Sequence, residues 1–288
     1  MDTQELLKKV RKIEIKTKGL SKHLFSGDYN SAFKGRGMSF SEVRDYTYGD
    51  DVRNIDWNVT ARTGTPHIKV FEEERELTVI LLIDVSNSQQ FGTQSNFKKD
   101  LVAEISAVLS FSANNNNDKV GAIFFSDQIE AYLPPKKGKK NILRIIREII
   151  QLEPKGKSTS ISTALEYLNK VQKKKSIAFL ISDFISPPFE TELSITARRH
   201  DLIGINIYDI RESILPDIGL IRLRDLESNQ IKVIDTSNKE LRDKYNENWT
   251  KRQSDLKSLF NKFSVDLIDI LVEEDYVKAL LGLFKKRV

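Results

Sequence analysis

From about residue 76 onward, apolar runs alternate with stretches of helical period. Leu77-Thr78-Val79-Ile80-Leu81-Leu82-Ile83 is apolar and β-branched on both parities. That pattern marks a strand buried on both faces of a parallel sheet, since a strand with one wet face would alternate. Phe97, Leu101, Ile105, Val108 and Leu109 then recur at helical spacing and predict a helix over 96–112. Val120–Phe125 reads as a second strand. Ile129–Leu133 reads as its antiparallel edge partner, stopped by Pro134-Pro135. Helices follow over 141–152 and 160–171, a third core strand over 177–181, a helix over 190–200 and a fourth core strand over 202–208. The apolar pieces 220–223 and 231–234 flank Glu227-Ser228-Asn229-Gln230 and predict a hairpin. A long helix over 239–263, a last strand over 265–271 and a helix over 276–284 close the chain. Such alternation predicts an α/β fold with a doubly wound, mostly parallel sheet and an inserted C-terminal hairpin. Residues 1–75 are dense in Gly, Arg, Asp and Tyr and lack a long period. They are expected to form an N-terminal segment packed on a main domain of residues 76–288.

Composition narrows the chemistry. With 39% hydrophobic and 30% charged residues in 288, the chain has the balance of a globular protein. No apolar run reaches the roughly 20 residues that span a bilayer, and the charged, amphipathic N-terminus is no secretory signal. The expected compartment is the cytoplasm. The absence of cysteine excludes disulfides, thiolate catalysis and Cys-zinc sites. The net charge of +5 is small against 46 basic and 41 acidic residues, and the basic runs are short and scattered, so no nucleic-acid partner is expected. The three histidines, His23, His67 and His200, show no spacing for a metal pair or a catalytic dyad. The basic end Lys285-Lys286-Arg287 allows a peripheral contact with an anionic membrane, although a packed helix with a solvated end explains it as well.

The candidate site begins where the first core strand stops. Asp84, Ser86 and Ser88 follow it as Asp-x-Ser-x-Ser, at the sheet edge where open α/β folds place ligands. A carboxylate and two hydroxyls are hard oxygen donors suited to Mg²⁺ or Mn²⁺. Thr159 precedes the helix at 160–171, and Asp183 ends the strand at 177–181. Loops after neighbouring parallel strands converge on one edge, so Asp84, Ser86, Ser88, Thr159 and Asp183 could surround one cation, with water completing it. The same residues could instead hydrogen-bond around water as a plain scaffold. Gly156-Lys157-Ser158-Thr159 imitates the end of a phosphate-binding loop. Gln151 stands where that motif needs its first glycine and Pro154 lies inside the loop, so ATP binding is rejected here.

The order Asp-x-Ser-x-Ser, Thr, Asp on an α/β sheet resembles a von Willebrand factor A domain with its metal-ion-dependent adhesion site. Upstream, Gly35-Arg36-Gly37-Met38-Ser39-Phe40, Arg44-Asp45-Tyr46, Gly49-Asp50-Asp51-Val52-Arg53-Asn54-Ile55-Asp56-Trp57 and Thr60-Ala61-Arg62 resemble the bacterial DUF58 family. The resemblance covers about residues 20–285. It implies an A-type domain that acts as a non-enzymatic adaptor. The implied partners are a MoxR-type AAA+ ATPase and other A-domain proteins, in assembly or maturation of protein complexes. It also implies Asp84, Ser86, Ser88, Thr159 and Asp183 as ligands of a Mg²⁺ or Mn²⁺ held weakly until a partner completes the site. The chain departs from the family pattern at Ser158, where Gly is common, and at Gln89, where Met is common. A Mg²⁺-dependent phosphoryl-transfer enzyme is the competing expectation, but no second Asp follows two residues after Asp84.

Arg44, Arg53 and Arg62 recur every nine residues, interleaved with Asp50, Asp51 and Asp56 and followed by Trp57. Arginine pairs carboxylates in planar, bidentate fashion. The segment is therefore expected to be either an internal ion-pair lattice or a docking surface for a partner or a nucleotide phosphate.

Overall fold

The structure is a computed structural model that describes residues 8, 10–17, 39–72, 76–86, 98–156, 158–224 and 231–287. It divides into two compact units, Lys34–Leu77 on one hand and residues 1–33 with 78–288 on the other.

In chain order the first helix, α1, covers residues 10–17 and belongs to the larger unit. The smaller unit holds β1 (Ser39–Asp45), α2 (Trp57–Thr63) and β2 (His67–Glu72), with β1 and β2 antiparallel. This hairpin escapes a search for period because the register shifts between Phe40 and Glu42, so apolar positions do not alternate.

The larger unit continues with β3 (Thr78–Asp84), α3 (Lys98–Asn115), β4 (Lys119–Phe125), β5 (Ile129–Lys136), α4 (Lys139–Gln151) and α5 (Ile161–Val171). It then runs through β6 (Ile177–Ser182), α6 (Glu190–Arg199), β7 (Asp201–Tyr208) and the single turn α7 (Ile210–Ser213). Last come β8 (Leu220–Arg224), β9 (Ile231–Asp235), α8 (Lys239–Lys262), β10 (Asp266–Leu271) and α9 (Tyr276–Arg287). Six strands form one sheet in the order β10-β7-β6-β3-β4-β5. All neighbours are parallel except β4 and β5. β8 and β9 form the separate antiparallel hairpin.

β3 lies in the middle, and Val79 to Ile83 are fully buried, which is why both parities of that run are apolar. The edge strand β5 does not stop at the prolines as expected but runs through Pro134-Pro135 to Lys136. An edge strand needs amide donors on one side only, and the pairing with β4 shifts register between Val120 and Ala122 opposite the prolines. At the far edge, Arg287 is clamped between two strand starts. Its guanidinium donates to Asp201 at 3.0 and 2.9 Å and to Asp266 at 2.7 Å. Lys286 pairs with Asp266 at 3.3 Å, so two of the three basic residues ending α9 meet carboxylates of the sheet. Among the described residues no helix is long and apolar enough to cross a membrane.

Two expected outcomes follow from this packing. A Cβ on Gly204, in β7, would fall 2.5 Å from the Phe260 ring and 2.7 Å from Leu267. Gly204→Ala should therefore cost about 1–3 kcal/mol through overpacking, read as a lower urea midpoint; an unchanged midpoint would contradict the packing. His200 is 2% exposed, with Nδ1 3.0 Å from the Ser176 hydroxyl. Burial, with Arg199 nearby, holds its pKa down to about 4 from 6.5. The unfolded chain thus takes up this proton first. Its contribution to stability is whole above pH 6.5 and is lost as pH falls through 4. Wild type should lose more stability than His200→Leu over that window in pH-dependent denaturation; parallel curves would contradict it.

Candidate metal centre

Sheet topology decides where chemistry can sit. β4 lies on one side of β3 and β6, with β7 beyond it, on the other, so the connections leaving β3 and β6 run in opposite directions. Such a switch point opens a crevice outside the carboxyl ends of the strands. Asp84 ends β3 and Asp183 follows β6. The two are 2% and 3% exposed.

Asp84 is held from two directions. Its Oδ1 accepts from the Ser86 amide at 2.9 Å, and its Oδ2 accepts from the Ser182 hydroxyl at 2.6 Å. Ser182 Oγ also accepts from the Phe184 amide at 3.0 Å, so one hydroxyl joins the ends of β3 and β6. Asp183 Oδ1 accepts from the Ile185 amide at 3.2 Å. The chain turns there with Phe184 at φ 56°, a region uncommon for an aromatic residue. Packing of its buried ring edge-on against Phe260, centroids 5.3 Å apart, holds that conformation.

Thr159 is brought to the same edge by hydrogen bonds on both sides of its loop. The Ser160 amide donates to the Ser126 carbonyl at 2.9 Å, and the Ile161 amide to Ser186 Oγ at 3.1 Å. The Val85 amide donates to the Phe125 carbonyl at 2.9 Å. The three loops are thereby laced together. Glu130 secures the approach, since its Oε1 accepts from Ser126 Oγ at 2.6 Å and from the Lys155 and Gly156 amides at 3.0 and 2.8 Å. Burial alone would raise the Glu130 pKa, but these donors outweigh it and lower it. A Cβ on Gly156 would fall 2.0 Å from Asp127 Oδ1 and 2.2 Å from Ser126 Oγ, so the close approach calls for glycine. Ser86 is fully buried, and the buried Thr159 hydroxyl has no hydrogen-bond partner among the described residues. Ser88 and Gln89 lie outside the described residues.

Two like charges are thus enclosed. Burial raises the Asp84 pKa, and the neighbouring Asp183 charge raises it further; hydrogen bonds from Ser182 and Ser86 offset only part. Among the described residues the cation that meets Asp183 directly is Lys98, in the first described turn of α3 and fully buried. Its ammonium donates to Asp183 Oδ2 at 3.3 Å and makes a shorter ion pair with Glu212 of α7. Burial alone would lower the Lys98 pKa; the Asp183 and Glu212 charges outweigh it and raise it. Beside Asp183 a pocket of about 180 Å³ opens toward α8, lined also by Phe184, Arg252, Leu256 and Leu259.

This donor set suits a hard divalent cation. Among the described residues the buried Thr159 hydroxyl lacks a partner, and buried Asp84 is met by amide and hydroxyl donors while Lys98 answers Asp183. Among the described residues no group of three or more His, Asp or Glu could hold a metal, so a cation here would rely on hydroxyls and water as well.

The second candidate cluster lies in the smaller unit, and its ion pairs are local. Arg44 forms a bidentate pair with Asp50, at 2.9 and 2.8 Å, and Thr47 donates to the same carboxylate. These bonds hold Asp50 well below the usual carboxylate range. Arg53 pairs with Asp51, which also caps the turn Val52–Asn54. Asp56 caps α2 by accepting from the Asn58 and Val59 amides, and Lys69 lies 3.6 Å from it. Arg62 is exposed, and Trp57 keeps 69% of its surface open.

The fold is an α/β domain built on a mostly parallel sheet with one antiparallel edge strand. The chain belongs to the family described as "Protein of unknown function DUF58", which it matches over residues 42–255. The uncharacterized protein Rv1480 of Mycobacterium tuberculosis is 27% identical over 290 residues, covering 100% of this chain and 91% of that protein. The uncharacterized protein MAV169 of Mycobacterium avium is 24% identical over 158 residues, 54% of this chain and 93% of its own length. Among solved structures, the conserved hypothetical protein BatB from Bacteroides thetaiotaomicron aligns with a TM-score of 0.50 at 14% identity. It covers 73% of this chain and 98% of its own, a likeness of fold.

Four residues that shape the site went unread in the sequence: Ser182, Glu130, Lys98 and Glu212. Lys98 stands in the sequence beside a second lysine, Lys99, and nothing there marks it as the buried one. Glu130→Ala should release the Lys155 and Gly156 amides at a cost of about 1–3 kcal/mol. Hydrogen exchange at those two amides should accelerate while that of β3 does not; unchanged exchange would show that Glu130 does not hold the loop.

Proposed function

We propose that this chain is a non-enzymatic protein-interaction module, working in the cytoplasm as an adaptor for a MoxR-type AAA+ ATPase and other A-domain proteins. Asp84, Ser86, Ser88, Thr159 and Asp183 hold a Mg²⁺ or Mn²⁺ in this reading. The bound cation would supply an open coordination position to a carboxylate of the partner. The observation that carries the reading is the Thr159 hydroxyl, buried without a partner among the described residues at the edge where two buried carboxylates end their strands. Burying an unsatisfied hydroxyl costs free energy that a ligand would recover. The chain's own residues prepare the site. Ser182 orients Asp84, Ser126 and Ser186 fix the Thr159 loop, and Phe184 sets the turn at Asp183. The partner is the one that resemblance to the DUF58 family implies, and the chain belongs to that family over residues 42–255. Phosphoryl transfer is the weaker reading, because both Asp84 oxygens already accept hydrogen bonds, which favours holding over attack.

Capture from native lysate, with Mg²⁺ or with chelator, should recover an AAA+ ATPase for wild type only when Mg²⁺ is present. Asp84→Ala and Thr159→Ala should lose it while keeping their circular dichroism. Recovery unaffected by chelator and by both substitutions would place the contact elsewhere.

A further inference from the structure

Lys98 is a fully buried cation in an ion pair with one of the candidate ligands, and nothing in the adaptor reading needs it. Burying an ammonium is costly unless carboxylates compensate it, and here two do. The contacts are unequal: the ammonium stands 3.3 Å from Asp183 Oδ2 and closer to Glu212 Oε1. Glu212 is itself mostly enclosed, with a side chain 16% exposed. It sits on α7, where α8 holds the two flanking residues, Tyr245 donating to the Arg211 carbonyl and Asn246 to the Ser213 carbonyl. A single charge is thus shared between the candidate centre and the element that leads to the long helix.

We infer that Lys98 is a built-in counter-ion that competes with the divalent cation for Asp183, and that Glu212 sets how hard it competes by drawing the ammonium away. The inference rests on reading Asp84, Ser86, Thr159 and Asp183 as metal ligands. Without the metal, Lys98 offsets the Asp183 charge. With the metal, Asp183 turns to the new cation and the ammonium is left to Glu212. Metal entry is then felt at α7, and the site stays weak by construction because each cation repels the other at a few ångströms.

The test is Mn²⁺ binding by the full chain, read from the loss of the free-ion electron paramagnetic resonance signal. Lys98→Met, nearly the same length and uncharged, should bind Mn²⁺ at least about tenfold tighter than wild type, on the scale of one unit charge removed nearby. Glu212→Gln should bind more weakly, because the ammonium then rests on Asp183. General loosening of the fold does not give opposite signs at two paired residues. If Lys98→Met does not fold, Lys98→Met with Glu212→Gln removes both buried charges and should still bind more tightly than wild type. Equal or weaker binding in the folded Lys98 variant, with wild-type binding lost in Asp84→Ala, overturns the counter-ion role and leaves the metal site standing. Absence of any binding that Asp84→Ala abolishes, in wild type and variants alike, overturns the metal site and the counter-ion role together.

Discussion

Two carboxylates are buried at the carboxyl ends of adjacent parallel strands, and the site depends on how their repulsion is answered. Asp84 and Asp183 are each at most 3% exposed, so water screens them poorly. Each answer visible in the structure is a specific bond. Ser182 and the Ser86 amide take Asp84, the Ile185 amide and Lys98 take Asp183, and Glu212 balances Lys98. Remove the apolar sheet that places these groups and the charges would separate into solvent. Remove the bonds and the sheet would enclose an uncompensated pair.

The same constraint explains why the surrounding loops are so thoroughly tied. A dry polar site is stable only when its backbone and side-chain groups are nearly all satisfied. Glu130 gathers two loop amides and a hydroxyl, and the segment carrying Thr159 is pinned to the ends of two strands. Among the described residues the Thr159 hydroxyl at this edge has no partner, and it gives a cation something to complete. The pocket beside Asp183 and the ion pair to α7 connect the centre to the C-terminal helices, the route by which occupancy could be felt beyond the crevice.

Much of the fold was legible because burial on both faces leaves a direct trace in sequence, as in Thr78–Asp84 and Ile177–Ser182. Asp84, Ser86, Thr159 and Asp183 were legible for a second reason: parallel strands deliver their loops to one edge, so order along the chain converts to proximity. Elements governed by exceptions were harder to read. β5 continues through two prolines because an edge strand tolerates them, and the hairpin of β1 and β2 hides behind a register shift. Lys98, Glu130, Ser182 and Glu212 are ordinary polar residues in the sequence. Their roles arise from long-range contacts, Lys98 meeting Asp183 across 85 residues and Ser182 meeting Asp84 across 98.

The measurement that bears most directly on the central claim is anomalous diffraction at the manganese edge from crystals of this chain soaked in Mn²⁺. The account predicts one strong peak within coordination distance, roughly 2.0–2.3 Å, of oxygens from Asp84, Ser86, Thr159 and Asp183. A map with no peak there at saturating Mn²⁺, with the four side chains ordered, would contradict it and leave the cluster as a scaffold held by Lys98.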